Sequence, residues 1–233
     1  MTTHYDEEAQ VEQLRQWLRD NWFPLTSGLA LGLVAIFGWQ AWGQRLDDHS
    51  GAASHVFDDL GRAANQDKYS DCAAMADRLV KDFSDTPYAA AGALKMAQLA
   101  VLDNRLDEAV TRLQWVVQFE QNPQLLARVG AALHIRNKAY DAGLLPLAHL
   151  RLAQVLWQQN KADLALQQLD GDADSYAPLY AELRGDIALS QGDRSTARGD
   201  YQKALQALGA DSADRDGLQR KLDDLSDVAA VKS

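Results

Sequence analysis

Between Phe23 and Trp42 the chain carries no charged residue at all: FPLTSGLALGLVAIFGWQAW, bounded by Asp20 and Arg45. Wound as an α-helix, twenty residues rise about 30 Å, the thickness of a bilayer's hydrocarbon core. A helix buried in a soluble core is usually shorter, and rarely stays uncharged for so long. A cleaved signal peptide needs a basic leader, a shorter apolar stretch and a small-residue cleavage site. Ala41-Trp42-Gly43 imitates such a site only weakly. The segment ahead of the run carries Asp6, Glu7, Glu8, Glu12 and Asp20 against Arg15 and Arg19, so it is acidic rather than basic. The expectation is a retained single-pass anchor with most of the chain on one side of a membrane.

Details of the run agree. Trp22 and Phe23 stand at one end, Trp39 and Trp42 at the other. Indoles favour the headgroup level because the ring is apolar and its N–H needs a partner. Pro24 falls in the first helical turn, where a missing N–H costs little. Arg15 and Arg19 precede the run and Arg45 alone follows closely, a bias toward a cytoplasmic N-terminus. Gly28 and Gly32 form a GxxxG match, which reads either as a membrane-helix contact or as ordinary glycine usage in such helices. Ahead of the run, Val11, Leu14 and Leu18 share a helical face with Trp22. That face reads as an interfacial lead-in, with a partner contact as the other reading.

The net charge of −10 excludes several functions. An acidic chain is a poor partner for nucleic acid and is repelled by anionic headgroups. The single cysteine, Cys72, has no partner for an internal disulfide and reads as a small buried hydrophobe.

Past the anchor, the Ala-, Leu- and Gln-rich composition is that of an all-α domain. It is also internally repetitive. Ala64, Ala97, Ala153 and Gly185 are each followed twelve positions later by alanine: Ala76, Ala109, Ala165 and Ala197. Seven positions after each comes a turn-compatible residue: Asp71, Asn104, Asn160 and Gly192. Two antiparallel helices cross tightly only where both carry small side chains, so the pattern predicts helix pairs stacked as a solenoid. In the last unit Gly185, Gly192, Ala197, Tyr201 and Ala204 match the tetratricopeptide order of small, turn, Ala, aromatic, Ala. The units are spaced by 33, 56 and 32 residues. Against the tetratricopeptide period of about 34, the middle spacing implies an insertion of about 22 residues. That insertion is expected near 122–143. Ser84-Asp-Thr-Pro87 reads as the cap of a following helix.

No motif for chemistry emerges. Asp170-Gly-Asp172-Ala-Asp174 opens like a calcium loop, but Ser175 and Ala181 stand where glycine and the bidentate glutamate are needed. The histidines at 4, 49, 55, 134 and 149 show no metal-binding spacing. Asp58-Asp59 and Asp223-Asp224 are adjacent, so their side chains diverge on a helix. Phosphate-binding loops and nucleophile elbows are absent from the sequence. The expectation is a binding protein rather than an enzyme, with no cofactor and no metal.

Several stretches carry a resemblance to a known family: Tyr5-Asp-Glu-Glu-Ala-Gln-Val-Glu-Gln-Leu, Asn21, the glycine-spaced anchor to Gly38-Trp39, Leu150-Arg-Leu-Ala-Gln-Val and Asp163-Leu-Ala-Leu. The most specific is Leu183-Arg-Gly-Asp-Ile-Ala-Leu-Ser-Gln-Gly-Asp with its continuation into Ala197-Arg198. With these the chain resembles the YfgM family, ancillary subunits of the SecYEG translocon, and departs from it in a longer segment near 122–143. The resemblance implies a bacterial inner-membrane protein with a cytoplasmic N-terminus and a periplasmic tetratricopeptide domain. It implies association with SecYEG and with a PpiD-like periplasmic chaperone, contact with unfolded translocating clients, and help in passing newly translocated chains to chaperones. The alternative is a tetratricopeptide scaffold for another envelope assembly or a stress-signalling complex.

The expected organisation is therefore a cytoplasmic tail (1–22), a transmembrane helix (23–42), a linker or helix extension (43–55), a repeat domain (56–209) and a C-terminal capping helix and tail (210–233).

Overall fold

The computed structural model describes residues 3–121, 144–209 and 212–230, all its regular elements being helical. The expected insertion near 122–143 lies outside the described residues, as does His134. The chain divides into two units, residues 1–49 and 50–233.

The first unit holds α1 (Thr3–Asp20) and the opening part of α2 (Trp22–Ala64). Pro24 lies within the first turn of α2. The hydroxyls of Thr26 and Ser27 donate to the carbonyls of Trp22 (2.9 Å) and Pro24 (3.1 Å), so neither polar group is left unmade in an apolar surrounding. Leu31, Val34, Ile36 and Phe37 are 62–70 % exposed. Bare apolar side chains on several sides of one helix mark a surface suited to a membrane or a partner rather than to water. Among the described residues α2 is the helix long and apolar enough to cross a membrane, and none of its apolar window is buried. Residues 43–55 are helical throughout, within α2.

The second unit is a series of helix pairs. The end of α2 pairs with α3 (Tyr69–Asp82), α4 (Pro87–Leu102) with α5 (Leu106–Glu120), and α6 (Leu144–Gln158) with α7 (Ala162–Gln168). A 3-10 turn (Asp174–Tyr176) leads to α8 (Ala177–Ser190), which pairs with α9 (Arg194–Ala207); α10 (Arg215–Ala230) closes the series. This is a tetratricopeptide-like all-α solenoid behind one N-terminal apolar helix.

The turns inside the pairs repeat one device. Asp67, Asn104, Asn160 and Gly192 have φ of 55°, 59°, 60° and 86°, in the left-handed region. The next residue's N–H reaches back five positions to a helix carbonyl: Lys68 to Ala63 (3.1 Å), Arg105 to Ala100 (2.7 Å), Lys161 to Leu156 (2.9 Å) and Asp193 to Ala188 (2.9 Å). The left-handed residue itself donates three positions back in each case. These are four Schellman ends, which occupy orphan carbonyls and turn the chain at once into the next helix.

They correct the register of the first pair. Sequence spacing put its turn at Asp71 and its small contact residue at Ala64. Asp71 instead lies in the first turn of α3, and the left-handed residue is Asp67, four positions earlier. Leu60 and Cys72, both buried, then take the places that Ala97 and Ala109 hold in the second pair. Ala64 is only half-buried against the core, while Ala76 is fully buried one helical turn further along. A slip of four residues is one turn of helix, so it leaves the apolar face intact and invisible to periodicity.

Small residues bring the helices together. Ala97, Ala109, Ala153, Ala165, Ala197 and Ala204 are at most 2 % exposed. Gly185 of α8 faces Tyr201 of α9 so closely that a Cβ would sit 2.5 Å from a ring carbon. Gly92 of α4 stands in the same relation to Leu79 of α3, at 2.6 Å. Thr86 occupies the N-cap position of α4 with extended backbone and Pro87 after it. Its buried hydroxyl donates back to the Phe83 carbonyl (2.8 Å) rather than accepting from the new helix.

Candidate binding groove

The same register that packs the pairs leaves one side of α4 and one side of α6 facing open space. Helix α5 packs between them. On α4, Ala91, Leu94, Lys95, Gln98, Val101 and Leu102 recur at helical spacing and form one stripe. On α6, Leu147, Arg151, Gln154, Val155 and Gln158 form another. Leu113 of α5 contributes to the floor and Phe57 of α2 to the edge. Together they enclose a groove of about 690 Å³, walled mainly by apolar side chains. Leu102, at its end, is 77 % exposed.

Two features of the lining stand out. Among the described residues it contains no Asp or Glu, although acidic residues outnumber basic ones 33 to 23 in the chain. Its charges among the described residues are Lys95 and Arg151. Lys95 donates to the Gln98 side-chain oxygen (3.3 Å) and Arg151 to that of Gln154 (3.0 Å), and neither meets a carboxylate among the described residues. The two pairs occupy equivalent repeat positions, both offset by 56 residues as Ala97 is from Ala153. In the sequence the groove's cations are marked by that offset alone, a weak signal because cations on helix surfaces are ordinary.

The remaining polar clusters tie helices together. Tyr69 donates to Glu108 (2.9 Å), lies under the Arg105 guanidinium (4.2 Å to the ring centroid), and Arg112 bridges Asp77 and Glu108. Burial, then the bond to Glu108, pushes the Tyr69 hydroxyl up to about 12. Tyr180 donates to the Pro146 carbonyl (2.8 Å), and burial raises it to about 12 as well. Tyr201 donates to Asp186 (2.7 Å), and Lys221 of α10 reaches Glu182 (2.8 Å) and Asp186 (2.7 Å). These groups are held by partners on neighbouring helices, so they read as structural ties. His149 shares a 3.0 Å hydrogen bond with Gln168, joining α6 to α7. In the sequence 170–174, the Asp172 carboxylate accepts from the Asp174 N–H (3.1 Å), an Asx turn.

Cys72 is 1 % exposed, its thiol facing the Leu60 carbonyl (3.8 Å), and burial raises its pKa. Gly28 and Gly32, the candidate membrane-helix contact, have nothing within 4 Å of a built Cβ and are exposed. Gly185 and Tyr201 touch each other, as above. Among the described residues no cluster of His, Cys, Asp and Glu could hold a metal ion.

Comparison with known proteins follows the same outline. The tetratricopeptide repeat-like domain family matches residues 15–145 and 127–227. The chain is 29 % identical over 227 residues, 97 % of its length and 100 % of the relative's, to a protein of Escherichia coli (strain K12) named Ancillary SecYEG translocon subunit. It is 26 % identical, with the same coverage, to a protein of that name from Neisseria gonorrhoeae (strain ATCC 700825 / FA 1090). A third, from Haemophilus influenzae (strain ATCC 51907 / DSM 11121 / KW20 / Rd), is 26 % identical over 89 % of this chain and 92 % of its own.

Proposed function

We propose, for a chain that belongs to the tetratricopeptide repeat-like family and within it to the YfgM group, that it works as an ancillary subunit of the SecYEG translocon. The observation that carries this reading is the full-length correspondence to relatives bearing that name, apolar N-terminal helix and repeat domain included. The α2 window anchors the chain in the bacterial inner membrane, with α1 in the cytoplasm and the repeats in the periplasm. Tethering holds the solenoid at the channel exit, where its effective concentration for emerging chains is far above that of a free protein. The groove between α4 and α6 receives segments of partner proteins, the usual use of a solenoid's extended concave surface. In this role the protein helps pass newly translocated chains to periplasmic chaperones, with a membrane-anchored PpiD-like chaperone as a second partner. Its contribution is binding and position.

The test is purification of the full-length protein from native membranes in mild detergent, followed by identification of what accompanies it. Translocon components together with a periplasmic chaperone are expected. Consistent absence of translocon components would sink the reading. Recovery of a different envelope complex in their place would favour the alternative scaffold.

A further inference from the structure

Resting on that reading of the groove as a protein-binding surface, we infer that it selects segments combining apolar side chains with carboxylates. The occupant is a partner polypeptide whose leucine-like side chains lie against Leu94, Val101, Leu102 and Leu147, and whose Asp or Glu residues meet Lys95 and Arg151.

Charge complementarity carries the argument. Among the described residues the lining holds two cations and no acid, in a chain with net charge −10. Lys95 and Arg151 each give one hydrogen bond to a neutral glutamine oxygen, which leaves most of their donors for water. While the groove is open, that hydration is cheap. An apolar segment seated in it strips water from both cations, and a desolvated cation without an anionic partner is costly. A segment bringing carboxylates replaces the lost water with charge-assisted hydrogen bonds. One bringing lysine is rejected by like charge. The selectivity is therefore in part a penalty on the wrong segment rather than only an attraction to the right one.

Repeat geometry sharpens this. The cation and the glutamine three residues on stand at equivalent positions of α4 and α6. The other two pairs break the pattern: the first has Asp58 and Gly61 at those places, the last Leu183 and Asp186. The cationic step thus coincides with the stretch of solenoid that forms the apolar groove, and it ends where the groove ends.

The experiment measures binding of three fluorescein-labelled peptides to the full chain in nanodiscs, with empty nanodiscs as the blank. The peptides share a leucine-rich frame and differ in carrying glutamate, glutamine or lysine at the same places. The glutamate peptide should bind about tenfold tighter than the glutamine peptide at low salt, the lysine peptide weakest, and the gap should narrow as salt rises. In the double variant Lys95→Gln, Arg151→Gln the preference should vanish while binding of the glutamine peptide persists. Both side chains reach solvent, and an unchanged melting curve verifies that the variant folds. Equal affinity for the three peptides, no binding of any, or a preference that survives in the double variant overturns the inference. So does concentration-dependent self-association abolished by the double variant, which would assign the groove to a second copy of this chain. Each of these results leaves the co-purification test of translocon association standing.

Discussion

Gly185 has no room for a methyl group. Its Cβ would meet two ring carbons of Tyr201 at 2.5 and 2.6 Å, and that ring is fully buried and tied to Asp186. Gly185→Ala therefore forces α8 and α9 apart, at a cost of about 1–3 kcal/mol in urea unfolding. Gly28→Ala and Gly32→Ala, with open space around them, should leave that transition unchanged. Asp193 is a residue of another kind. It is exposed, yet its carboxylate caps α9, accepting from the Thr196 N–H (3.0 Å), the Thr196 hydroxyl (2.6 Å) and the Ser195 hydroxyl (2.8 Å). These bonds, that from the Thr196 hydroxyl first, lower its pKa from 3.8 to about 2. A carboxyl depressed on folding stabilises the fold above its unfolded pKa, and that contribution fades as pH falls through its folded value. Asp193→Ala should thus be less stable than the parent at neutral pH, with the gap closing between about pH 4 and 2. A gap that stays constant down to pH 2 would show that the charge is irrelevant to the cap.

Helix α10 shows how an element that reads as polar in sequence closes a core. Leu218 and Leu225 are 2 % exposed and pack with Ala188, Ala197, Tyr201 and Ala204. Arg198 donates to the Leu225 carbonyl (3.0 Å) and Arg194 to that of Asp224 (3.2 Å), placing cations toward the negative end of the helix. Leu218→Ala should cost about 2–5 kcal/mol and shift the unfolding midpoint with an unchanged slope. A loss below 0.5 kcal/mol, the level of an ordinary surface change, would mean that α10 is an ornament rather than a cap. How far sequence could go is visible among such elements. The last pair was legible because glycine at 185 and 192 and tyrosine at 201 are rare enough to fix a register. The first pair was not, because alanine suits core and surface alike and both Asp67 and Asp71 tolerate a turn. Gly92 carries no pattern of its own in an alanine-rich helix, and only its contact with Leu79 explains it. The groove needed three dimensions, since two stripes 56 residues apart become one surface only when α5 packs between their helices.

At the scale of the molecule, the proposed function depends on which side of the membrane each unit occupies. The apolar window separates a segment with Arg15 and Arg19 from a domain that begins with Arg45 as its sole nearby cation. Basic residues close to a span are retained on the cytoplasmic side, and on this ground the proposed topology has α1 in the cytoplasm and the groove outside it. The single native cysteine makes this measurable, because Cys72 is buried and its thiol pKa is raised, above all by burial, which together suppress reaction with a maleimide. Gln16 and Gln114 are exposed, the first in α1 and the second in α5, away from the groove lining. With the outer membrane permeabilised and the inner membrane intact, a membrane-impermeant maleimide should label Gln114→Cys and spare both Gln16→Cys and the parent protein. Breaking the inner membrane should then expose Gln16→Cys. Labelling in the opposite order would put the repeat domain in the cytoplasm, where no chain emerging from a translocon could reach it.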